Sequence, residues 1–432
     1  MSIEETMFFN DTPLILFSLS SKLQGRANAK MWKRWRLFHA TDFESLMYPS
    51  FTFCYILGIF PYKINASIFE ISKPRYILST VVMCVCLIGL LSSLYLIDIC
   101  GIPKMKGVPR NLERNCYYIL SGFIAVVTYI LSGPRMRLLQ TIMEISWKLP
   151  PESYQKLSRL IHAKDILGSF LLLIIVVPMY FMMNFHIVFK IFLAYVILMI
   201  FHIDMLYMNC VCTLKACFKQ INDNLEHLQD YMTNDEVYHL SRMYCKQRSP
   251  FLLIKLKVLK KQHQMISNAV QMMNMIFSLQ LLATIILTFI EITFHLYFHL
   301  LYWQKGISMI NVDDSIYKVF LMTYVPYYFI KIMLIVWACE STKNQALQIG
   351  TTIHDVFNSI GDNEIKNELQ LFSLQVLHRK NIFSAMGLTV DAKLLTAMVG
   401  NISTYLLILI QFLNMSHFCA KEIATNVIEI IQ

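Results

Sequence analysis

The stretch FSLQLLATIILTFIEITFHLYFHLLYW, residues 277–303, decides the fold of this chain. It contains one acidic residue, Glu291, and neither Lys nor Arg. A helix needs about 20 such residues to cross about 30 Å of hydrocarbon. The stretch therefore predicts a membrane-spanning helix rather than a buried helix of a soluble domain.

Six further stretches meet the same criterion. Of the 432 residues, 56% are hydrophobic and 15% are charged, whereas soluble domains carry about 25% charged residues. A shorter apolar piece, 48–60, ends at Pro61 and predicts an interfacial or re-entrant segment. We expect an all-α integral membrane protein whose seven transmembrane helices, numbered as spans one to seven, cover residues 76–97, 116–133, 166–185, 191–214, 277–303, 319–339 and 394–413.

The basic residues predict the direction of these spans. Of the 38 Lys and Arg residues, 29 lie before span one or in the intervals after spans two, four and six, and 8 lie in the other intervals and the tail. Cytosolic flanks carry the excess of Lys and Arg. We therefore expect a cytosolic N-terminus and an extracellular C-terminus, the reverse of a G-protein-coupled receptor. The net charge of +10 then indicates membrane flanks rather than nucleic-acid binding.

Apolar stripes continue from spans four, five and six into the predicted cytosolic side. They recur at helical spacing within residues 217–228, 266–277, 349–360 and 365–376, and Gly361–Asp362–Asn363 separates the last two. An amphipathic face needs a partner to cover its apolar side. The stripes predict a helical cytosolic anchor bundle.

Catalysis has no candidate residues in this sequence. It contains no phosphate loop, dinucleotide fingerprint, HExxH motif or nucleophile elbow. Its eleven cysteines have no metal-ligand spacing. We therefore predict no enzyme, no cofactor and no metal site. Cys100 and Cys116 bracket an expected extracellular loop, where a disulfide and two free thiols remain alternatives.

Three segments resemble one known family. TYLLILIQF (404–412) resembles the signature that ends the seventh helix of insect gustatory receptors. ELQLFSLQVLHRKNIFSAMGLTVD (368–391) and MYPSFTFCYILGIFPY (47–62) resemble the segments before that helix and before span one. Leu406 stands where the sugar-sensing branch usually has Glu, so the tail is closer to the branch with bitter-type and fructose-type receptors.

The resemblance implies a homotetrameric, ligand-gated, non-selective cation channel of the plasma membrane, opened by a small-molecule tastant. Alternatives are a seven-helix receptor that signals through a cytosolic partner and, with less support because no repeated halves are visible, a secondary transporter. The implied organisation is a cytosolic N-terminus with a short helix (1–75), spans one to six with an extracellular-facing pocket and cytosolic extensions (76–338), a cytosolic anchor segment (339–393), a pore helix (394–413) and an extracellular tail (414–432).

Span seven has two dissimilar halves. The predicted cytosolic half is rich in small and polar residues, and the outer half is apolar until Gln411. Thr404, Ile408, Gln411 and Phe412 share one face. In a pore, this face predicts a wet vestibule and an apolar gate that excludes ions by dewetting. The alternative is a small-xxx-small packing face around Gly400 and Thr404.

Polar and aromatic residues of spans two to six lie at similar depth and predict a ligand pocket. An ionisable group in hydrocarbon costs about 3 kcal/mol or more and normally faces protein or water. The candidates are Glu291, His295, His299, Tyr324, Tyr327, Tyr328, Lys331, Tyr180 and Tyr118. The alternatives are a purely structural Glu291–Lys331 pair and membrane-belt tyrosines. For His202 and Asp204 in span four, packing or hydrogen bonding is the favoured role.

Overall fold

Long helices form most of the chain. The computed structural model describes residues 37–65, 67–99, 108–182, 187–233, 242–305 and 314–431. Two antiparallel hairpins in these ranges pair β1 (Tyr62–Asn65) with β2 (Ile68–Ile71) and β3 (Ser384–Ala385) with β4 (Leu388–Thr389). The helices are α1 (Phe43–Ile56), α2 (Lys73–Asp98), α3 (Val108–Ile130), α4 (Ser132–Ser146), α5 (Pro151–Met182), α6 (Ile187–Thr233), α7 (Arg242–Lys305), α8 (Asp314–Ser359), α9 (Asn363–His378) and α10 (Ala392–Ile431).

The described helices confirm an all-α, multi-pass membrane protein. Within them, α2, α5, α6, α7, α8 and α10 are each long and apolar enough to cross a membrane. The α3–α4 pair adds a seventh span if the two helices, bent by 64°, are counted as one. The direction of the spans stays a prediction.

Span two differs from the single span predicted over residues 116–133. The structure begins α3 at Val108 and ends it at Ile130, and the chain bends before α4. Pro134 lies in the first turn of α4, where a missing backbone N–H leaves no helical hydrogen bond unmade. The Gly133–Pro134 pair thus marks a bend.

A short N-terminal helix packs against the spans. Asp42 caps α1, with its Oδ1 atom accepting a hydrogen bond of 2.7 Å from the Ser45 backbone N–H, which satisfies a donor at the helix start. The His162 Nε2 atom on α5 lies 2.9 Å from the Leu46 carbonyl oxygen. The predicted piece 48–60 is therefore largely helical, and its position at the membrane interface stays a prediction.

Helices α6, α7 and α8 continue without a break beyond the predicted spans. Their apolar stripes are buried, as residues 217–228, 266–277 and 349–360 illustrate. Helix α9 packs on α7 and α8. Lys260 on α7 forms an ion pair with Glu368 on α9, and Gln375 Nε2 donates to the Lys260 carbonyl oxygen at 2.9 Å. The extensions of α6, α7 and α8 therefore form a bundle with α9, as predicted. The cytosolic location of this bundle stays a prediction.

A tight hairpin leads into the last helix. Met386 and Gly387 have φ of 50° and 88°, and positive φ at both central residues is typical of a type I′ turn. The hairpin is held on α7 because the Met386 N–H donates to Ser278 Oγ at 2.6 Å and Asn274 Nδ2 donates to the Ile382 carbonyl oxygen at 2.7 Å. These bonds position the start of α10.

Candidate functional site

A buried polar cluster lies between α7 and α8. Glu291 is 0% exposed, and its Oε2 atom accepts a hydrogen bond of 2.7 Å from the Tyr324 hydroxyl. His295, one helical turn after Glu291, stacks on the Tyr324 ring with centroids 3.9 Å apart. The His295 Nδ1 atom is 2.9 Å from the Glu291 carbonyl oxygen. The i, i+4 spacing on α7 therefore places the carboxylate and imidazole on one interior face.

Tyrosines extend this cluster along α8. The hydroxyl oxygens of Tyr324 and Tyr328 are 3.3 Å apart, and Tyr327 meets the Tyr328 ring edge to face at 5.2 Å. The Lys331 ammonium lies 5.1 Å from the centroid of the Tyr328 ring, which suits a cation–π contact. The structure thus brings together Glu291, His295, Tyr324, Tyr327, Tyr328 and Lys331.

Lys331 pairs with a different acid from the one considered in the sequence. Its Nζ atom donates to Asp204 Oδ2 at 3.1 Å, and both side chains are buried. Thr284 donates to the other carboxylate oxygen of Asp204, also at 3.1 Å. The alternative of a structural Glu291–Lys331 pair is therefore wrong, because Lys331 pairs with Asp204 instead. The sequence indicated only the depth of each residue in the membrane. It could not show that α6 packs along α8 and brings Asp204 to Lys331.

Helix α3 supplies one acidic residue, Glu113, that the sequence analysis missed. Tyr118 is buried as a pocket lining requires, and its neighbour Tyr117, at the same depth of span two, is buried as well. Glu113 on the same helix also reaches the interior. Atoms of Glu113, Glu291 and His295 lie within 4.8 Å of one another. Arg110 pairs with Glu113 at 3.2 Å. Glu113 escaped notice because it precedes the apolar run of span two, although its i, i+4 relation to Tyr117 was visible.

Two candidates lie away from this cluster. Tyr180 is 37% exposed, and the Lys190 ammonium lies 4.7 Å from its ring centroid. His299 is two turns beyond Glu291 on α7, with its ring 5.8 Å from that of the exposed Trp303. The sequence places Asn184 and His186 at a depth similar to that of Tyr180. These two residues and Cys100 lie outside the described residues, so the Cys100–Cys116 disulfide stays a prediction.

His202 has the packing role that the sequence favoured for it. Its ring stacks on that of Phe53 at 4.9 Å.

Helix α10 has one covered face and one open face. Leu394, Met398 and Ile402 are buried, and α10 packs on α7 and α8. The Ala392 N–H donates to Glu340 Oε2 on α8 at 3.0 Å. The Phe289 ring on α7 meets the Tyr405 ring at 5.8 Å. The open face carries Thr396, Gly400, Thr404, Ile408, Gln411 and Phe412.

A cleft lies at the far end of the α7–α10 contact. Its volume is about 280 Å³, and its lining includes Tyr297, Trp303 and Leu413. It is therefore distinct from the buried polar cluster at Glu291.

Comparisons with known proteins agree on one family. The model of a family described as 7tm chemosensory receptor matches residues 47–415. Gustatory receptor 28b of Drosophila melanogaster is 32% identical over 154 residues, which are 35% of this chain and 32% of that protein. Gustatory receptor 28a of the same organism is 29% identical over 160 residues, or 36% and 35% of the two chains. The match thus spans about a third of the length of these curated relatives.

The fold is similar to that of a solved insect olfactory receptor. The structure of OR5 from Machilis hrabei has a TM-score of 0.62 to this chain, with 14% sequence identity. The match covers 85% of this chain and 97% of that receptor. The complex of the same receptor with eugenol gives a TM-score of 0.63 over the same shares.

Proposed function

Because the chain belongs to the 7tm chemosensory receptor family, we propose that it is a gustatory receptor that forms a ligand-gated, non-selective cation channel opened by a small-molecule tastant. The open face of α10 is the observation that carries this proposal. Thr396, Asn401 and Thr404 are exposed on a helix that is long and apolar enough to cross a membrane. Polar side chains in a span normally face protein or water rather than lipid.

A central pore between four copies of α10 would place the polar residues of this face in contact with water. The half of α10 with Thr396, Gly400 and Thr404 would form a wet vestibule, and the half with Ile408, Gln411 and Phe412 would narrow it. A narrow apolar ring loses its water and so blocks hydrated ions. Four identical chains around one axis would place the same residues at each level of the pore.

The buried cluster at Glu291 supports a ligand site within each subunit. Pockets for small molecules are largely apolar and aromatic, with a few polar groups that fix orientation. Tyr324, Tyr327 and Tyr328 supply aromatic surface, while Glu291 and His295 supply polar atoms. The solved relative with bound eugenol provides a precedent for a small ligand in this fold.

A direct packing contact would connect ligand binding to the pore. Phe289, which meets Tyr405 of α10 at 5.8 Å, lies two residues before Glu291 on α7. A ligand that prefers one arrangement of α7 would therefore bias α10, because binding shifts a population only through differential affinity for its states.

Electrical recording from purified protein in a lipid bilayer tests the proposal. A calcium-influx screen of sugars, amino acids, nucleosides and bitter compounds first identifies an agonist. That agonist is then expected to evoke cation current with no other protein present. Agonist binding to purified protein without current would instead favour a receptor that signals through a cytosolic partner.

A further inference from the structure

Two carboxylates and an imidazole meet where α3 packs on α7. Glu113, Glu291 and His295 are 7%, 0% and 1% exposed, and one potential ligand atom from each lies within 4.8 Å of the others. Ligands of one Zn²⁺ ion lie about 2 Å from it and thus up to about 4 Å apart. The three groups therefore exceed that range by less than about 1 Å.

Among the described residues, neither Lys nor Arg forms an ion pair with Glu291, and the one ionisable base in salt-bridge range is His295, whose Nδ1 atom lies 3.7 Å from Glu291 Oε2. Arg110 pairs with Glu113 at 3.2 Å, and Lys331 pairs with Asp204 at 3.1 Å. Glu291 Oε2 accepts from the neutral Tyr324 hydroxyl, and Glu291 Oε1 has no hydrogen-bond partner among the described residues. A buried, uncompensated carboxylate is strongly unfavourable. A bound cation, a shared proton or a protonated imidazole would each remove this charge.

We propose that Glu113, Glu291 and His295 bind a divalent transition-metal cation, with Zn²⁺ as the best match. An imidazole with two carboxylates is a ligand set that Zn²⁺ accepts. Mg²⁺ and Ca²⁺ prefer six or more oxygen ligands, which the three groups do not supply. Tyr117, one turn after Glu113, adds a buried hydroxyl that lacks a hydrogen-bond partner in the described part of the chain.

Zn²⁺ at this site ties α3 to α7. Helix α7 also contacts α10 through Phe289 and Tyr405. A metal cross-link therefore restrains the helix that touches the last span, and the site is regulatory rather than catalytic.

Zinc binding to the purified full-length protein tests the site without agonist or current. After chelation, the protein is dialysed against ZnCl₂ and its metal content is measured, with about one tight site expected per chain. His295→Gln and Glu291→Gln are expected to weaken that site about tenfold or more. The matched controls His354→Gln and Glu364→Gln, at exposed positions, retain it. Equal affinity in all four variants overturns the proposal.

X-ray absorption at the zinc edge of the wild-type protein decides the matter even where the variants fail to fold. Nitrogen and oxygen ligands with an imidazole signal support the site, whereas sulfur ligands assign the metal to cysteines and overturn it. A wild-type protein that binds no zinc, with an infrared band of a protonated carboxyl group, shows that a shared proton fills the role. Sulfur ligation or an absence of zinc binding would overturn the zinc site but leave the channel proposal intact, since no step of the test measures ion flow.

Discussion

The Lys331 ammonium on α8 donates to the Asp204 carboxylate on α6 at 3.1 Å, with both side chains buried. In the protein interior, the positive charge of Lys331 and the negative charge of Asp204 neutralise each other. Removing one partner of a buried pair leaves an isolated charge and costs about 3–5 kcal/mol.

Single substitutions in this pair are expected to lose surface expression. Lys331→Met or Asp204→Asn alone should reduce folded receptor, as measured by surface labelling and size-exclusion profile. The double variant Lys331→Met/Asp204→Asn should regain much of it, because no unpaired charge remains. Lys257→Met, at an exposed position, serves as the control. A double variant no better than the singles would contradict the pairing.

Tyr324→Phe removes the hydroxyl that donates to Glu291 at 2.7 Å. Leaving a buried acceptor without its donor costs about 1–3 kcal/mol, so the purified variant should melt at a lower temperature in a thermal-shift assay. Tyr95→Phe, at a side chain 56% exposed, is the matched change and should leave melting unaltered. Identical melting of both variants argues against the Tyr324–Glu291 bond.

Phe412→Ala is expected to open the proposed gate. Removing the phenyl group of Phe412 from each subunit widens the narrow end of the pore and lets water enter it. Ions should then pass without agonist. Gln411→Ala should keep agonist potency but change conductance or ion preference, since an amide oxygen replaces part of an ion's hydration shell. Phe170→Ala removes an exposed aromatic ring from α5 and should change neither property. Unaltered basal current and permeation in both gate variants, at normal surface level, would remove the pore assignment.

Tyr405→Ala should uncouple agonist binding from opening. It deletes the ring that meets Phe289, so agonist affinity of the purified protein should stay near normal while the maximal agonist-evoked current falls. Tyr95→Ala again supplies a control at an exposed site. A full current from the Tyr405 variant would show that coupling takes another route.

The charge distribution predicts the topology. Asn10, in the sequon Asn10–Asp11–Thr12, lies outside the described residues and is expected in the cytosol without a glycan. An N-terminal tag should stain only after permeabilisation, and a C-terminal tag should stain on intact cells. A glycan on Asn10 would reverse the predicted orientation.

Hydrophobic periodicity was enough to predict most of the architecture. The spans follow from runs of apolar residues, and the buried stripes follow from apolar residues that recur at helical spacing. Both patterns can be seen in the sequence without knowledge of the elements that cover them. The predicted membership of the insect gustatory receptor family is confirmed by the family match and by its Drosophila relatives. The pore, gate and pocket residues remain predictions.

The side-chain partners needed three-dimensional packing. Periodicity placed Glu291 and His295 on one face, but it could not show that α3 brings Glu113 to them or that α6 brings Asp204 to Lys331. Those contacts depend on the rotation of one helix against another. The turn at Met386–Gly387 was missed because only the glycine signals positive φ.

Helix α7 sets a rule for building chimaeric receptors. It is a single helix of 64 residues, and at 1.5 Å per residue it is about 95 Å long. One inserted residue near Lys260 would turn everything beyond it by about 100°, which points Glu291 at a different neighbour. Seven inserted residues would turn it by only about 20°. Those seven residues would still move Glu291 by about 10 Å along the helix axis, or two turns. Segments exchanged between such receptors should therefore match in length.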